Sequence, residues 1–399
     1  MKRILFVHEV YGRLAGAEQN IIVTAPHLAK TFDLAFLYDS RSGKDEAAFA
    51  AVFPRSHQVP FADDAAAEVA TQRVLAAERP DLIYVHKCIA LGVLRALVKA
   101  GIPLVRMEHD HDIYCMRSYK YFPWSRRICQ KKAGPCCIFP CLAFLKRDRS
   151  RGRFGVRLVS YRRQMECIRL NQEFRAFFVV TDYMREELIR QGFAAERIHI
   201  FPPVPPPTDT LFASTFSERN LIIYAGQILR GKGVDCLIRA FARLQHPARL
   251  IILGSGSYQE ACQKLAHDLG VAERVEFPGF VSRDRLAEYY AHATMAVVPS
   301  VWPEPIATIG LEVLRYGIPV VGFDAGGIRD WLRDGETGYL IPWMDIETMS
   351  QRLDQLLGDK ELARRLGAQG REFVNRVYNF EDYIARLGST LASFPAGPT

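Results

Sequence analysis

The stretch Leu221-Ile-Ile-Tyr-Ala-Gly226-Gln-Ile-Leu-Arg230-Gly-Lys232-Gly233 sets the reading of this chain. Leu221–Ala225 is an apolar run with the length of one buried strand. A glycine-bearing loop follows it, and Val234–Leu244 then repeats apolar residues at helical spacing. Strand, glycine loop and helix together form the repeating piece of a parallel sheet covered by helices. Small residues in such a loop let an anion approach, and Arg230 and Lys232 can offset a diphosphate. An ordinary basic turn has the same composition, so both readings stand.

The same alternation extends outward in both directions. Strands are expected at Arg249–Leu253, Val275–Phe277, Met295–Pro299 and Pro319–Phe323, with helices at Tyr258–Leu269, Arg285–His292, Thr308–Tyr316 and Ile346–Leu357. Upstream, strands are expected at Arg3–His8, Leu34–Tyr38, Leu82–His86, Leu104–Glu108 and Ala176–Thr181. Helices there are Ala17–Lys30, Ala65–Ala77, Ile89–Ala100, residues 158–176 and Asp182–Gln191. Between the halves stands Phe201-Pro-Pro-Val-Pro-Pro-Pro207, whose five prolines favour a stiff extended linker. The spacing predicts two doubly wound, Rossmann-like domains: 1–205, interrupted by an irregular insert at about 111–163, and 206–377. Residues 378–399 are read as a helix that crosses back to the first domain. Ligands of such sheets bind at the carboxyl ends of the strands, here facing a central cleft.

With 399 residues, two domains are the natural expectation, and the ordinary apolar and charged content excludes a disordered or fibrous chain. The opening apolar run stops at His8-Glu9, short of a signal-peptide core, and no stretch reaches the ~20 apolar residues of a membrane span. The reading is a cytoplasmic protein. The net charge of +8 is uneven: residues 117–163 hold 14 Lys or Arg and one acid, Asp148. The remainder is therefore acidic. Nine cysteines, an odd number, argue against a disulfide scaffold.

Three further loops follow strands. Pro299-Ser-Val-Trp-Pro-Glu-Pro-Ile-Ala-Thr-Ile-Gly-Leu-Glu312 joins a strand to a helix whose first N–H groups can bind phosphate. Glu304 and Glu312 stand eight apart, so on a helix they share a face and can accept hydrogen bonds from sugar hydroxyls; the alternative is two solvated surface acids. Gly254 and Gly256 in Leu253-Gly-Ser-Gly256, and Gly16 in Gly12-Arg-Leu-Ala-Gly16-Ala-Glu18, are weak fingerprints singly.

Together the pieces carry more. Gly16-Ala-Glu18, Gly226 with Lys232-Gly233, Leu253-Gly-Ser-Gly256, Pro278-Gly279-Phe280, Pro299-Ser300, Glu304-x7-Glu312, Gly317-Ile-Pro-Val-Val321, Gly326-Gly327 and Asp334-Gly-Glu-Thr-Gly338 resemble glycosyltransferase family 4 in nature and order. The resemblance spans nearly the whole chain. It implies a GT-B fold and a retaining, metal-independent hexosyltransferase that uses a UDP- or GDP-sugar. By position it gives Glu304 the donor sugar and Glu312 the ribose. The backbone at Ile306, Ala307 and Thr308, with Gly16, takes the pyrophosphate. Lys232 meets the leaving diphosphate, and the backbone near Phe280 reads the base. Catalytic roles fall to His109, Lys232 and Glu304, and the acceptor side to His86, His109 and Asp110, although a structural histidine is the plainer reading of His86. Where the family carries Arg after the glycine, this chain has Gln227, and Arg230 is the expected substitute.

The insert holds Cys115, Cys129, Cys136, Cys137 and Cys141, which read either as a structural zinc site or as reduced packing thiols. Its basic residues are mixed with Tyr119, Tyr121, Phe122, Trp124, Phe139, Phe144 and Phe154. That mixture suits an anionic membrane surface or a lipid-pyrophosphate acceptor. The expected setting is the inner face of a membrane, in polysaccharide or lipopolysaccharide biosynthesis. Alternatives are a nucleotide-sugar epimerase of the same fold, a nucleic-acid-binding protein using the insert, or an inactive sugar-nucleotide sensor.

Overall fold

A computed structural model describes residues 1–13, 16–122, 124–147, 155–204, 213–216 and 220–397. Asp148, Phe154 and the prolines from Pro205 to Pro207 lie outside the described residues. The chain divides into two compact units. The first comprises Met1–Lys120, Gln130–Pro206 and Phe380–Thr399; the second comprises Tyr121–Cys129 and Pro207–Asn379. The sequence reading kept the whole insert in the first domain, whereas Tyr121–Cys129 groups with the second unit.

The first unit is built on seven strands: β1 (Arg3–His8), β2 (Asp33–Tyr38), β3 (Arg55–Gln58), β4 (Leu82–Lys87), β5 (Leu104–Glu108), β6 (Ala176–Val179) and β7 (Ile198–Ile200). All pair in parallel, in the order β7-β6-β5-β4-β1-β2-β3. Ile4 to Val7 and Leu82 to Val85 are fully buried, because helices cover both faces of the central strands. Each such side chain contributes roughly 1.5–3 kcal/mol. The helix Phe380–Ser393 also belongs here: the Asn20 amide donates to the Tyr383 hydroxyl (3.3 Å), and Arg386 lies 4.4 Å from the Phe201 ring centre. Phe201 and Val204, read from sequence as part of a stiff extended linker, are buried. Phe201 is instead an anchor for that final helix.

The second unit repeats the plan with six parallel strands: β8 (Leu221–Ala225), β9 (Arg249–Leu253), β10 (Val275–Gly279), β11 (Ala293–Val298), β12 (Val320–Phe323) and β13 (Gly338–Ile341). Their order is β10-β9-β8-β11-β12-β13. Ile222, Leu250, Ile252, Met295, Val297 and Val321 form its core with Leu237, Phe241, Leu353 and Leu356 from the covering helices. In each sheet the strand order reverses once, between β1 and β4 and between β8 and β11. At such a switch point the flanking loops part and leave a crevice beyond the carboxyl ends of the strands.

Among the described residues, no helix is long and apolar enough to cross a membrane. The insert has local order. A turn of 3-10 helix covers Pro135–Cys137, and Leu145–Arg147 pairs antiparallel with Val156–Leu158.

Candidate active site

In the second unit, the loops after β8 and β11 bring Lys232 and Glu304 together. The Lys232 ammonium donates to Glu304 Oε1 at 2.7 Å. The same oxygen accepts from the Ser300 hydroxyl at 2.5 Å and the Trp302 indole N–H at 2.8 Å. Lys232 also sits 5.1 Å from the centre of the Trp302 ring. Glu304 is buried. Burial pushes its carboxyl up, but the Lys232 charge and the three hydrogen bonds outweigh burial and hold it below the ordinary carboxylate value. It is therefore an ionised carboxylate fixed in position, beside a cation that keeps one exposed side.

Backbone geometry holds the pair. Glu304 N–H donates to the Ala325 carbonyl (3.2 Å), and Gly327 N–H donates to the Glu304 carbonyl (2.7 Å). Glu304 thus lies in an extended bridge to Gly326, before the helix Thr308–Arg315 begins. This corrects the helical-spacing argument: only Glu312 is on the helix, and the separation of eight residues places nothing on a shared face. Gly233 closes the other loop at φ 69°, where a Cβ would lie 1.8 Å from the Pro299 carbonyl oxygen. Only glycine lets these two loops approach so closely.

The helix Thr308–Arg315 starts at Ala307, which has φ 56° and offers no side-chain cap. A left-handed alanine costs on the order of 1 kcal/mol. It is held there because the Ile306 carbonyl accepts from the indole of fully buried Trp331. Thr308, exposed, opens the helix, and Glu312 is half-buried in its second turn. An uncapped helix start favours an anion.

The remaining residues assigned from sequence in this unit lie in the loops after β8, β9 and β10. Gln227 is exposed, its carbonyl accepting from the Tyr224 hydroxyl at 2.7 Å. The Arg230 side chain is exposed. The loop with Gly254 and Gly256 braces the β8 loop: Ile228 N–H donates to the Ser255 carbonyl (2.9 Å), and Tyr258 N–H donates to the Ile228 carbonyl (3.0 Å). Phe280, just past β10, is 83% exposed, an uncommon setting for a phenylalanine.

In the first unit, Gly16 is exposed at the start of the helix Gly16–Leu28. His8, His86 and His109 gather at the carboxyl ends of β1, β4 and β5. His86 Nδ1 lies 3.2 Å from His109 Nε2, the two rings stack at 5.5 Å, and His8 Nε2 is 3.4 Å from Glu18. Burial, then the positive charges around it, pull His109 down to about 3; burial pulls His8 down to about 4 against the opposing pull of Glu18. Both are neutral imidazoles near pH 7. Asp110 shares Lys87 with Asp112, at 3.0 Å and 3.1 Å.

Beside these residues lies a cavity of about 550 Å³. Its lining includes Glu9 after β1, Asp39 after β2 and Ile89 after β4, together with Arg157, Leu158 and Gln164. It therefore opens at the switch point of the first sheet. Burial raises the Glu9 carboxyl to about 6, with Lys87 opposing.

Sequence reasoning missed Ser300, Trp302, Glu9 and the cavity. Ser300 and Trp302 were within the quoted motif, two donors within four residues of Glu304, and that closeness was the available signal. Cys115, Cys129, Cys136, Cys137 and Cys141 are half-buried. None of the nine cysteines forms a disulfide, and among the described residues no three His, Cys, Asp or Glu side chains are arranged to hold a metal ion.

Comparison with known proteins bears on the family and the fold. Residues 14–204 match the family described as Glycosyltransferase Family 4, and residues 209–373 match Glycosyl transferases group 1. The chain is 30% identical over 183 residues to the GDP-mannose-dependent alpha-(1-6)-phosphatidylinositol monomannoside mannosyltransferase of Mycobacterium tuberculosis, covering 44% of this chain and 48% of the relative. It is 32% identical over 181 residues to the lipopolysaccharide core biosynthesis glycosyltransferase LpsE of Rhizobium meliloti, covering 45% and 52%. The chain thus spans about half the length of the curated relatives it matches. Among solved structures, the lipopolysaccharide outer core galactosyltransferase WaaB superimposes with a TM-score of 0.73 at 17% identity, covering 98% of this chain and 99% of that one. HepE of Anabaena in complex with UDP-glucose gives 0.74 at 18% identity, covering 99% and 100%. The fold is therefore that of the GT-B glycosyltransferases. These relatives are transferases, which does not favour the epimerase or nucleic-acid readings.

Proposed function

This chain belongs to glycosyltransferase family 4, and from that premise we propose that it moves a hexosyl group from a UDP- or GDP-sugar to a hydroxyl of a lipid-linked or cell-surface glycan intermediate. The observation that carries the proposal is the buried, ionised Glu304, held by Lys232, Ser300 and Trp302 ahead of an uncapped helix start. A fixed carboxylate suits sugar hydroxyls. A half-exposed ammonium and a helix start suit the diphosphate whose charge grows as it leaves.

In this reading the second unit binds the donor. The bond from the sugar's anomeric carbon to the phosphate oxygen lengthens, and Lys232 with the backbone around Ile306–Thr308 takes up the negative charge. The acceptor hydroxyl attacks the same face through an oxocarbenium-like state, and its proton passes to the departing phosphate oxygen, so configuration is retained. Glu312 takes the ribose, exposed Phe280 borders the base, and Arg230 stands in for the arginine that Gln227 replaces.

The first unit binds the acceptor at its switch-point cavity. Glu9 accepts from the acceptor hydroxyls, and neutral His109, braced by His86, contacts the reacting groups. Apolar side chains of the insert stand out to solvent beside its many cations, with Trp124 at 78% and Phe139 at 77% exposed. This supports contact with an anionic membrane surface carrying the acceptor.

The test is thermal shift and donor hydrolysis across a panel of UDP- and GDP-sugars, followed by NMR of the product anomer. One donor is expected to stabilise the protein, be slowly hydrolysed and give a product of retained configuration. Stabilisation by polynucleotide and by none of the nucleotide sugars would overturn the reading.

A further inference from the structure

The basic insert contributes a turn that belongs to the second unit. Tyr121–Cys129 groups there, although Lys120 and Gln130 on either side group with the first unit. The turn is closed by its own backbone: Tyr121 and Ile128 form an antiparallel bridge, Phe122 N–H donates to the Arg127 carbonyl (2.9 Å), and Arg126 N–H donates to the Phe122 carbonyl (2.7 Å). At its corner Arg126 takes φ 59°, a left-handed conformation that an arginine keeps only when its contacts compensate.

Those contacts are specific. The Arg126 guanidinium makes a two-pronged bond to Asp235, at 2.7 Å and 2.9 Å, and a further bond to the Arg230 carbonyl. Both partners are nearly buried, with side chains 10% and 12% exposed. Arg230 begins the short helical turn Arg230–Lys232, and Asp235 lies in the first turn of the helix that follows. The guanidinium therefore grips the loop that carries Lys232 on both sides of that lysine. Tyr121 meets the Trp302 ring edge-on at 6.1 Å, and Trp302 in turn bonds Glu304. Gly231 is pressed so close to the indole that a Cβ would lie 2.2 Å from it.

We propose that the turn Tyr121–Cys129 is a built-in brace of the donor half, and that Arg126 is a positioning residue that sets the loop carrying Lys232. The proposal rests on the donor reading given above. It assigns this part of the insert a role in donor geometry, distinct from any surface role of the remaining cations. A planar fork is required. Lysine can offset the Asp235 charge but lacks the rigid planar fork that meets both carboxylate oxygens side by side and the Arg230 carbonyl.

The experiment compares Arg126→Lys, Arg126→Ala and Tyr121→Ala with wild type. It measures Tm, the affinity for the free nucleoside diphosphate, and KM for donor and for acceptor separately. The expected result is a donor KM and a diphosphate Kd raised about 10- to 100-fold in the arginine variants, since small misplacements of a binding group carry penalties of that size. Acceptor KM should stay unchanged. Arg126→Lys should keep a near-native Tm and still show the donor defect; Tyr121→Ala should show a smaller one. If Arg126→Ala fails to fold, the Lys and Tyr121 variants decide. Donor KM and diphosphate affinity at wild-type values in folded Arg126→Lys and Tyr121→Ala would overturn the proposal. Absence of donor turnover and diphosphate binding in wild type would instead overturn the functional reading on which it rests.

Discussion

A carboxylate buried as deeply as Glu304 keeps its charge only when donors and a cation surround it, and Lys232, Ser300 and Trp302 do so through a single oxygen. Glu9 shows the opposite balance. Burial dominates there and holds the carboxyl at about 6. If ionised Glu9 accepts from acceptor hydroxyls, acceptor KM should fall as pH rises from 5 to 7, because the charged form fills in across that window. A hydrogen bond to a charged group is worth about 1.5–3 kcal/mol, so Glu9→Gln should raise acceptor KM at pH 7 by roughly ten-fold or more and remove the pH trend. An unchanged trend in the Gln variant would assign it to another group. At this scale the sequence announced Glu304 and Lys232 through their motifs. Glu9 was hidden, because one acid after a strand has no distinctive spacing and its value comes only from the cavity it lines.

At the scale of elements, the central strands were legible because strands buried on both faces read as unbroken apolar runs, as in Leu82-Ile-Tyr-Val. The edge strands of the first sheet were not. Arg55-Ser-His-Gln58 has a polar edge, and Ile198–Ile200 is three residues long, so neither carries a run to find. The helix Lys360–Val377 gives no clear sequence signal either, because Gly367 and Gly370 interrupt its pattern. Strand ends also set a pH response. His8 and His109, at the ends of β1 and just past β5, are held at about 4 and about 3 against an ordinary value of 6.5. Between pH 6.5 and 4 the unfolded chain binds more protons at these sites than the folded one. Stability from each is present above 6.5 and lost as pH falls, by up to about 1.4 kcal/mol per pH unit. Glu9 and Glu108, raised to about 6 and about 8 chiefly by burial, act in the opposite sense, so the histidine share must be read as a difference. Chemical denaturation of His109→Gln and wild type at pH 7 and pH 4.5 should show a smaller acid loss in the variant. Equal losses would mean that His109 takes up its proton in the folded state.

Across the whole molecule, one strand order is used twice, and each copy opens a crevice where that order reverses. Lys232 and Glu304 flank one switch point, and the cavity with Glu9 lies at the other. The alternation of strands and helices made this plan readable from sequence. The grip of Arg126 on Asp235 was not, since the two stand 109 residues apart and belong to no common motif. The most direct test of the account is turnover of the identified donor by Glu304→Gln, with nucleoside diphosphate binding measured alongside. Glutamine keeps the shape and an acceptor for Ser300 and Trp302, and removes only the charge. Diphosphate binding should stay close to wild type and turnover should fall by about 100-fold or more, the scale of losing one preorganised charged contact. Turnover within about 3-fold of wild type, well under the loss expected from a transition-state contact, would show that Glu304 is a structural acid and that the donor site lies elsewhere.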